Sequence, residues 1–180
     1  MVLDPLLALG VRSGLAVLFA SAAWHKLRGR AEFVGVLQAY RLLPAALVPV
    51  AAPLIALGEL AVAVALLWPA GWTVGALGAA AVLAVYALAI AVNLARGRRA
   101  IDCGCGAPGT RQPIGEGLLV RNVVLAAAAL LTLAPSAPRA LVWVDWLTLA
   151  GALGVAASVW TAAHGLAAAS HRVRAAGVAS

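Results

Sequence analysis

Apolar and polar positions alternate in long blocks along this chain. Five apolar stretches run from about Leu6 to Trp24, Ala46 to Trp68, Trp72 to Leu94, Leu118 to Leu133 and Trp143 to Ala163. A helix needs about 20 apolar residues to cross a hydrocarbon core. The first three stretches reach that length, the fourth does so only with Arg121 and Asn122 taken inside it, and the fifth is closed by His164. Pro44 and Pro49 mark the start of the second stretch, Pro69-Ala70-Gly71 joins it tightly to the third, and Pro135 and Pro138 separate the fourth from the fifth, all positions where proline and glycine punctuate helices. Trp24, Trp68, Trp72, Trp143 and Trp146 fall near stretch ends, where an amphipathic indole meets the membrane surface. Trp160 lies about a turn inside its stretch. The pattern predicts an all-α, polytopic transmembrane helical bundle of four core helices and a fifth. It is a single membrane domain over residues 1–180, with spans at 6–24, 46–68, 72–94, 118–133 and 143–163 and one longer connection, 95–117.

Composition supports the membrane as the solvent. Hydrophobic residues make up 64% of the 180 and charged residues 11%, against about 45–50% and about 25% in soluble domains. A water-soluble fold of this size cannot hide so much apolar surface, and a disordered chain or a disulfide-stapled secreted module is excluded with it. The formal charge of +7 would raise nucleic-acid binding in a soluble protein, but in a polytopic membrane protein basic residues collect in cytoplasmic connections. Lys26, Arg28, Arg30, Arg41, Arg96, Arg98, Arg99, Arg111, Arg172 and Arg174 fall on one side of a five-span topology, and Arg139 on the other. This predicts a multi-pass protein of the cytoplasmic membrane, N-terminus out and C-terminus in, with the 95–117 connection at the cytoplasmic face and no nucleic-acid partner. Asp4 and the lack of a basic stretch before the first apolar run predict no cleavable signal peptide.

A few polar groups remain inside the spans, where each costs several kcal/mol unless it faces a partner or a cavity. At 1.5 Å per residue, Arg12 falls ~10 Å and Glu59 ~14 Å below the outer ends of the first two helices. The depths suit an Arg12–Glu59 ion pair that fixes helix packing, or a Glu59 that accepts protons for redox chemistry. A second group, His25, Lys26, Asn93, Arg121 and Asn122, gathers at the inner depth where the 95–117 connection begins. Its asparagines suit hydrogen bonds between helices, Arg121 suits snorkelling to headgroups, and all of them suit the edge of a site. Gly10 with Gly14, and Gly71 with Gly75, have the GxxxG spacing of close helix contacts.

Chemistry concentrates in Asp102-Cys103-Gly104-Cys105-Gly106, which holds both cysteines of the chain. A disulfide across one intervening residue closes a small ring, which needs Cα atoms within about 7 Å and an S–S torsion near 90°; Gly104 and Gly106 relax the backbone enough to permit it. A strained disulfide is easily reduced, which suits exchange rather than stapling. Nearby arginines, Arg98 and Arg121 among them, favour the thiolate, while Asp102 opposes it or carries a proton. Two other readings stay open: inert cysteines, and a zinc or copper(I) site completed by His25 or His164, although no fixed ligand spacing marks one.

These residues carry a family resemblance. With Trp24-His25-Lys26-Leu27, Tyr40-Arg41-Leu42-Leu43-Pro44, Glu59, Gly97-Arg98 and Arg121-Asn122, the cysteine motif makes residues 10 to 135 similar to the MauE family of methylamine-utilisation membrane proteins, within the broader DoxX-like group. The resemblance implies a four- or five-helix membrane bundle associated with redox maturation of exported proteins. In methylamine utilisation it implies a link to methylamine dehydrogenase, whose small subunit is rich in disulfides, and a thioredoxin-like partner.

The combined reading is a membrane thiol–disulfide protein that serves an exported client. Cys103 and Cys105 exchange with the partner's dithiol, Arg121 and Arg98 stabilise thiolate, and Glu59 or Asp102 handles protons. Arg12, His25, Lys26, Asn93, Gly104, Gly106 and Asn122 shape or tune the site. No residue demands a cofactor, though the apolar cleft of a bundle suits a quinone as terminal acceptor. The rival readings are a non-catalytic assembly scaffold or chaperone, and a small protein handling a metal or solute.

Overall fold

The computed structural model describes residues 2–104 and 112–177, with side chains in the last helix described to residue 162 apart from 160. Among these residues the chain forms α1 (Pro5–Arg28), α2 (Arg30–Tyr40), α3 (Val48–Leu67), α4 (Trp72–Ala95), α5 (Glu116–Leu131) and α6 (Trp143–Gly177), and no strands. The all-helical architecture is the one the apolar pattern predicts. Contacts divide the chain into Met1–Ala137, which holds α1 to α5, and Pro138–Ser180, which holds α6.

Local chemistry sets the helix limits. Asp4 accepts a hydrogen bond from the Leu6 amide at 2.8 Å, and Pro5 occupies the first helical position, where its missing N–H costs nothing. The last turn of α1 carries His25, Lys26 and Arg28, cations that favour the negative end of the helix dipole. Gly29 closes α1 by donating its N–H to the His25 carbonyl and at once opens α2. The sequence pattern leaves residues 30–40 as connection, yet Phe33, Val36, Leu37 and Tyr40 share one face at i, i+3, i+4 and i+7, which is the spacing of an amphipathic helix. That face turns inward, with Phe33 and Tyr40 buried. Arg41 ends α2 in the left-handed region at φ 51°, and a 3-10 turn over Ala45–Leu47 leads into α3.

Within the first unit, α1 packs mainly on α3, and α4 packs on α3 and α5. The central core joins Leu15, Ala16 and Phe19 of α1, Ala63 and Leu66 of α3, Ala76, Ala79, Ala80 and Leu83 of α4, and Ala129 of α5. So many alanines let the helices approach closely. Among the described glycines the tightest approach is at Gly75, where an added Cβ would stand 2.5 Å from the Leu66 amide nitrogen. The Gly71–Gly75 spacing therefore works through Gly75, with Gly71 in the turn. Gly14, by contrast, has nothing within 4 Å of the corresponding position and makes no such contact.

The surface is inverted relative to a soluble protein. Val17, Leu54, Leu57, Leu60, Val64, Leu67, Val74, Leu77, Val85 and Leu88 are exposed, whereas Lys26, Glu59, Asn93 and Asn122 are buried. Pro5–Arg28, Ala45–Leu67 and Trp72–Ala95 are each long and apolar enough to cross a membrane, and exposed aliphatic side chains on such helices face lipid chains at no cost. In the second unit, Asp145 in the first turn of α6 accepts from the Val142 amide at 2.8 Å and from both terminal nitrogens of Arg139 at 2.7 and 2.9 Å. This fastens the entry to a helix whose apolar portion is Trp143–Val159.

Candidate functional site

At the end of the bundle where α1 meets α2, three polar side chains from three helices converge. Lys26 donates from Nζ to both Glu59 oxygens at 2.6 and 2.7 Å, and the Tyr86 hydroxyl donates to Glu59 Oε1 at 2.6 Å. The ion pair is sealed, with side-chain exposures of 3% and 1%. Its ammonium also lies 5.3 Å from the Phe33 ring centre and 5.5 Å from that of Tyr86, within range of cation–π attraction. A buried charge is tolerated only when paired and hydrogen-bonded, and here both charges are.

Glu59 thus pairs with Lys26, and the Arg12–Glu59 pair expected from depth does not form. Arg12 donates from Nε to the Ala8 carbonyl at 3.2 Å and stacks its guanidinium 4.7 Å from the centre of the Trp72 ring. The apolar stretch ends at Trp24, which placed Lys26 at the membrane edge, but α1 continues to Arg28 and α2 covers its end, so Lys26 is only 5% exposed.

The inner group separates by role. Asn93, fully buried, donates to the Ala89 carbonyl at 3.0 Å and accepts from Arg98 Nη1 at 3.0 Å. Arg98 also donates to the carbonyls of Ala39 at 2.6 Å and Tyr40 at 3.3 Å. It caps the C-terminus of α2, where terminal carbonyls lack helical partners, and ties α2 to α4. Those bonds engage Arg98 in fixing α2. His25 stands in the last turn of α1, partly buried.

The cysteine connection is shaped at both ends. Asp102 Oδ1 accepts from the Gly104 amide at 2.9 Å, an Asx turn that fixes the backbone around Cys103. Across the connection, the Cys103 amide donates to the Gln112 carbonyl at 2.8 Å and the Ile114 amide to the Ile101 carbonyl at 2.9 Å. Gly104 has φ +71°, and a Cβ there would stand 3.0 Å from Val36 Cγ1; conformation and packing both demand glycine. Farther out, Arg99 and Glu116 form an exposed ion pair at 2.6 Å. The Arg99 hydrogen bond, with smaller help from a backbone hydrogen bond and charge attraction, holds the Glu116 carboxyl below its ordinary range, and the same contact raises Arg99. Cys105, Gly106 and Arg111 lie outside the described residues, as does the side chain of His164.

Cys103 is buried in a cluster with Tyr40, Ile90, Ile101, Ile114 and Leu118, and it lines a cavity of about 230 Å³. Lys26, Tyr40, Tyr86 and Asn122 line the same cavity, with Phe33, Val36, Leu37 and Ile90 among its apolar walls. Asn122 is 2% exposed, and its Nδ2 has no acceptor among the described residues; the same holds for Arg121 Nε. The arrangement brings together the Glu59, Lys26, Asn122 and Cys103 that sequence singled out. It adds Tyr86, Phe33 and Tyr40, which sequence reasoning missed. Tyr86 had a signal, as a lone hydroxyl in the middle of an apolar span, and Phe33 and Tyr40 had the i, i+7 spacing of α2.

Comparison with known proteins agrees with this picture. The family model described as methylamine utilisation protein MauE matches residues 4–135, which takes in α1 to α5 and leaves α6 outside. The methylamine utilization protein MauE of Paracoccus versutus is 48% identical over 127 residues, covering 71% of this chain and 68% of its own. That of Paracoccus denitrificans is 43% identical over 128 residues, covering 71% and 69%, and that of Methylorubrum extorquens is 41% identical over 139 residues, covering 76% and 75%. No solved structure matches. With a five-helix unit coinciding with the matched segment, and relatives this similar over most of both chains, the protein belongs to the MauE family.

Proposed function

We propose that the protein is a membrane thiol–disulfide redox component that assists maturation of an exported protein, in methylamine utilisation a subunit of methylamine dehydrogenase type, together with a thioredoxin-like partner. The observation that carries this reading is the position of Cys103 in the wall of a cavity shared with the Lys26–Glu59–Tyr86 cluster. A cysteine kept for packing alone has no use for a neighbouring proton-bearing network; a redox thiol does, because each thiol–disulfide step moves protons with electrons. In the exchange, a thiolate of the partner attacks the Cys103–Cys105 disulfide and forms a mixed disulfide. The partner's second thiolate resolves it, leaving the partner oxidised and Cys103 and Cys105 as thiols. Arg121 favours the thiolate form and Asp102, through its turn, presents Cys103.

The basic residues of the connections support N-terminus out and C-terminus in, with the cysteine connection at the cytoplasmic face of the cell membrane. Labelling Cys103 and Cys105 from each side of intact cells with an impermeant thiol reagent, before and after reduction, tests that orientation. The redox reading is tested by mixed-disulfide trapping in cells. Cys103→Ser and Cys105→Ser each abolish the trapped species under the proposal, while an unchanged trapping pattern refutes it. A double serine variant that still supports client maturation instead identifies an assembly scaffold.

A further inference from the structure

We infer that the cavity walled by residues of α1 to α5 binds the head ring of a lipid-soluble quinone, which withdraws electrons from the cysteine pair. The inference rests on the thiol–disulfide reading above and supplies its acceptor. Three features of the walls select this ligand class.

The first is size and access. About 230 Å³ equals roughly eight waters at ~30 Å³ each, room for one substituted ring but not for a long tail. Leu42 and Leu43 line the cavity while 41% and 40% exposed, so an apolar tail leaves over them. The second is polarity. Asn122 Nδ2 is a buried donor without an acceptor among the described residues, and an ammonium has three donors, of which Lys26 directs two at Glu59. An unsatisfied buried amide donor, beside a wall ammonium, in a mostly apolar chamber calls for a flat apolar body bearing carbonyl oxygens. A hydrocarbon chain would leave the Asn122 donor buried and unsatisfied, which is costly. The third is the thiol, since Cys103 lines the same chamber.

The chemistry balances. The Cys103 thiolate bonds to a ring carbon, and the displaced π pair moves onto a carbonyl oxygen, which takes a proton. The Cys105 thiolate then attacks Cys103 Sγ; the S–S bond forms, the S–C bond breaks with its pair left on the ring, and the second oxygen takes a proton. Two thiols and one quinone become one disulfide and one hydroquinone, and the two thiol protons end on the two oxygens. Lys26 and Tyr86, both bonded to Glu59, are groups on the wall able to pass those protons.

The test uses the purified full-length protein in nanodiscs and a benzoquinone carrying one isoprenoid unit, with an alkylbenzene of similar length as the comparison probe. The quinone binds saturably to wild type. Asn122→Leu, which removes one buried hydrogen bond, weakens it about tenfold, and Ala89→Phe, which fills the cavity, abolishes it with helix content retained. In the fully reduced wild type, one quinone is consumed as two thiols disappear. Absence of saturable binding, equal binding of the alkylbenzene, or indifference to both Asn122→Leu and Ala89→Phe overturns the quinone site while leaving mixed-disulfide trapping unaffected. Saturable, Asn122-dependent binding without thiol loss refutes the electron transfer to quinone, whereas loss of mixed-disulfide trapping is the result that would overturn the thiol–disulfide reading itself.

Discussion

Replacing Lys26 by methionine probes the bundle at its most charged buried point. The substitution keeps the length and apolar stem of the side chain and removes only the ammonium. It leaves the Glu59 carboxylate, 1% exposed, with the Tyr86 hydroxyl alone. Removing one member of a buried ion pair costs about 3–5 kcal/mol, because the remaining charge is uncompensated, whereas replacing both members by apolar groups is often neutral or stabilising. Lys26→Met is therefore expected to lose about 3–5 kcal/mol, and Lys26→Met/Glu59→Leu to lose less than either single variant. Tyr86→Phe removes one hydrogen bond to a charged acceptor, for a loss of roughly 1.5–3 kcal/mol. Arg12→Met removes a stacking contact on Trp72 and a hydrogen bond to the Ala8 carbonyl, for about 1–2 kcal/mol in all. Reversible unfolding in mixed micelles measures all of these, with Lys26→Met, Glu59→Leu and their combination forming a double-mutant cycle. A Lys26→Met variant within about 0.5 kcal/mol of wild type, or strictly additive Lys26 and Glu59 losses, refutes the pairing, and a loss at Arg12 larger than that at Lys26 restores the Arg12–Glu59 alternative.

Three further outcomes follow from the geometry. Gly75→Ala drives a Cβ into the backbone of Leu66, where no side chain can give way; a loss of about 1–3 kcal/mol, typical of overpacking, is expected in the same unfolding assay. Gly104→Ala meets an unfavourable left-handed φ, costing about 1–2 kcal/mol, and a close Val36 contact, so the Cys103 region loosens and Cys103 reacts faster with a thiol reagent than in wild type. At the exposed Arg99–Glu116 pair, the carboxyl lies below its ordinary range in the folded chain. The stabilisation is fully present above the ordinary carboxylate range and is lost as pH falls through the lowered value. Glu116→Gln therefore differs slightly from wild type at neutral pH and coincides with it in acid, and high salt shrinks the difference; a gap that widens on acidification refutes the assignment.

The fold was legible where the sequence states it in long runs. The apolar stretches at 6–24, 46–68 and 72–94 lie within or almost within helices of the same span, because lipid allows no backbone polar group to go unsatisfied and an apolar run of that length has no other solution. What stayed hidden was shorter and amphipathic. A search tuned to spanning length passes over the eleven residues of α2, although their i, i+3, i+4, i+7 face is plain once looked for. That omission carried the error at Glu59 with it. Without α2, Lys26 belongs to a polar connection and counts as one more surface cation; with α2 in place, Phe33 covers its ammonium and Lys26 becomes the nearest charge able to neutralise Glu59. The same helix explains Arg98, whose guanidinium holds the α2 carbonyls, and Gly104, whose bare Cα accepts Val36. Residues at 26, 98 and 104, distributed over a helix end and a connection, thus answer to one short element. If α2 is what assembles the site, then Arg98→Met, which removes the bonds to the Ala39 and Tyr40 carbonyls and to Asn93, should expose both Lys26 and Cys103. Faster thiol labelling and faster amine labelling in that one variant, with the α3–α4 core still intact by unfolding, is the joint signature expected; a change in one label without the other would mean that the ion pair and the cysteine are held independently.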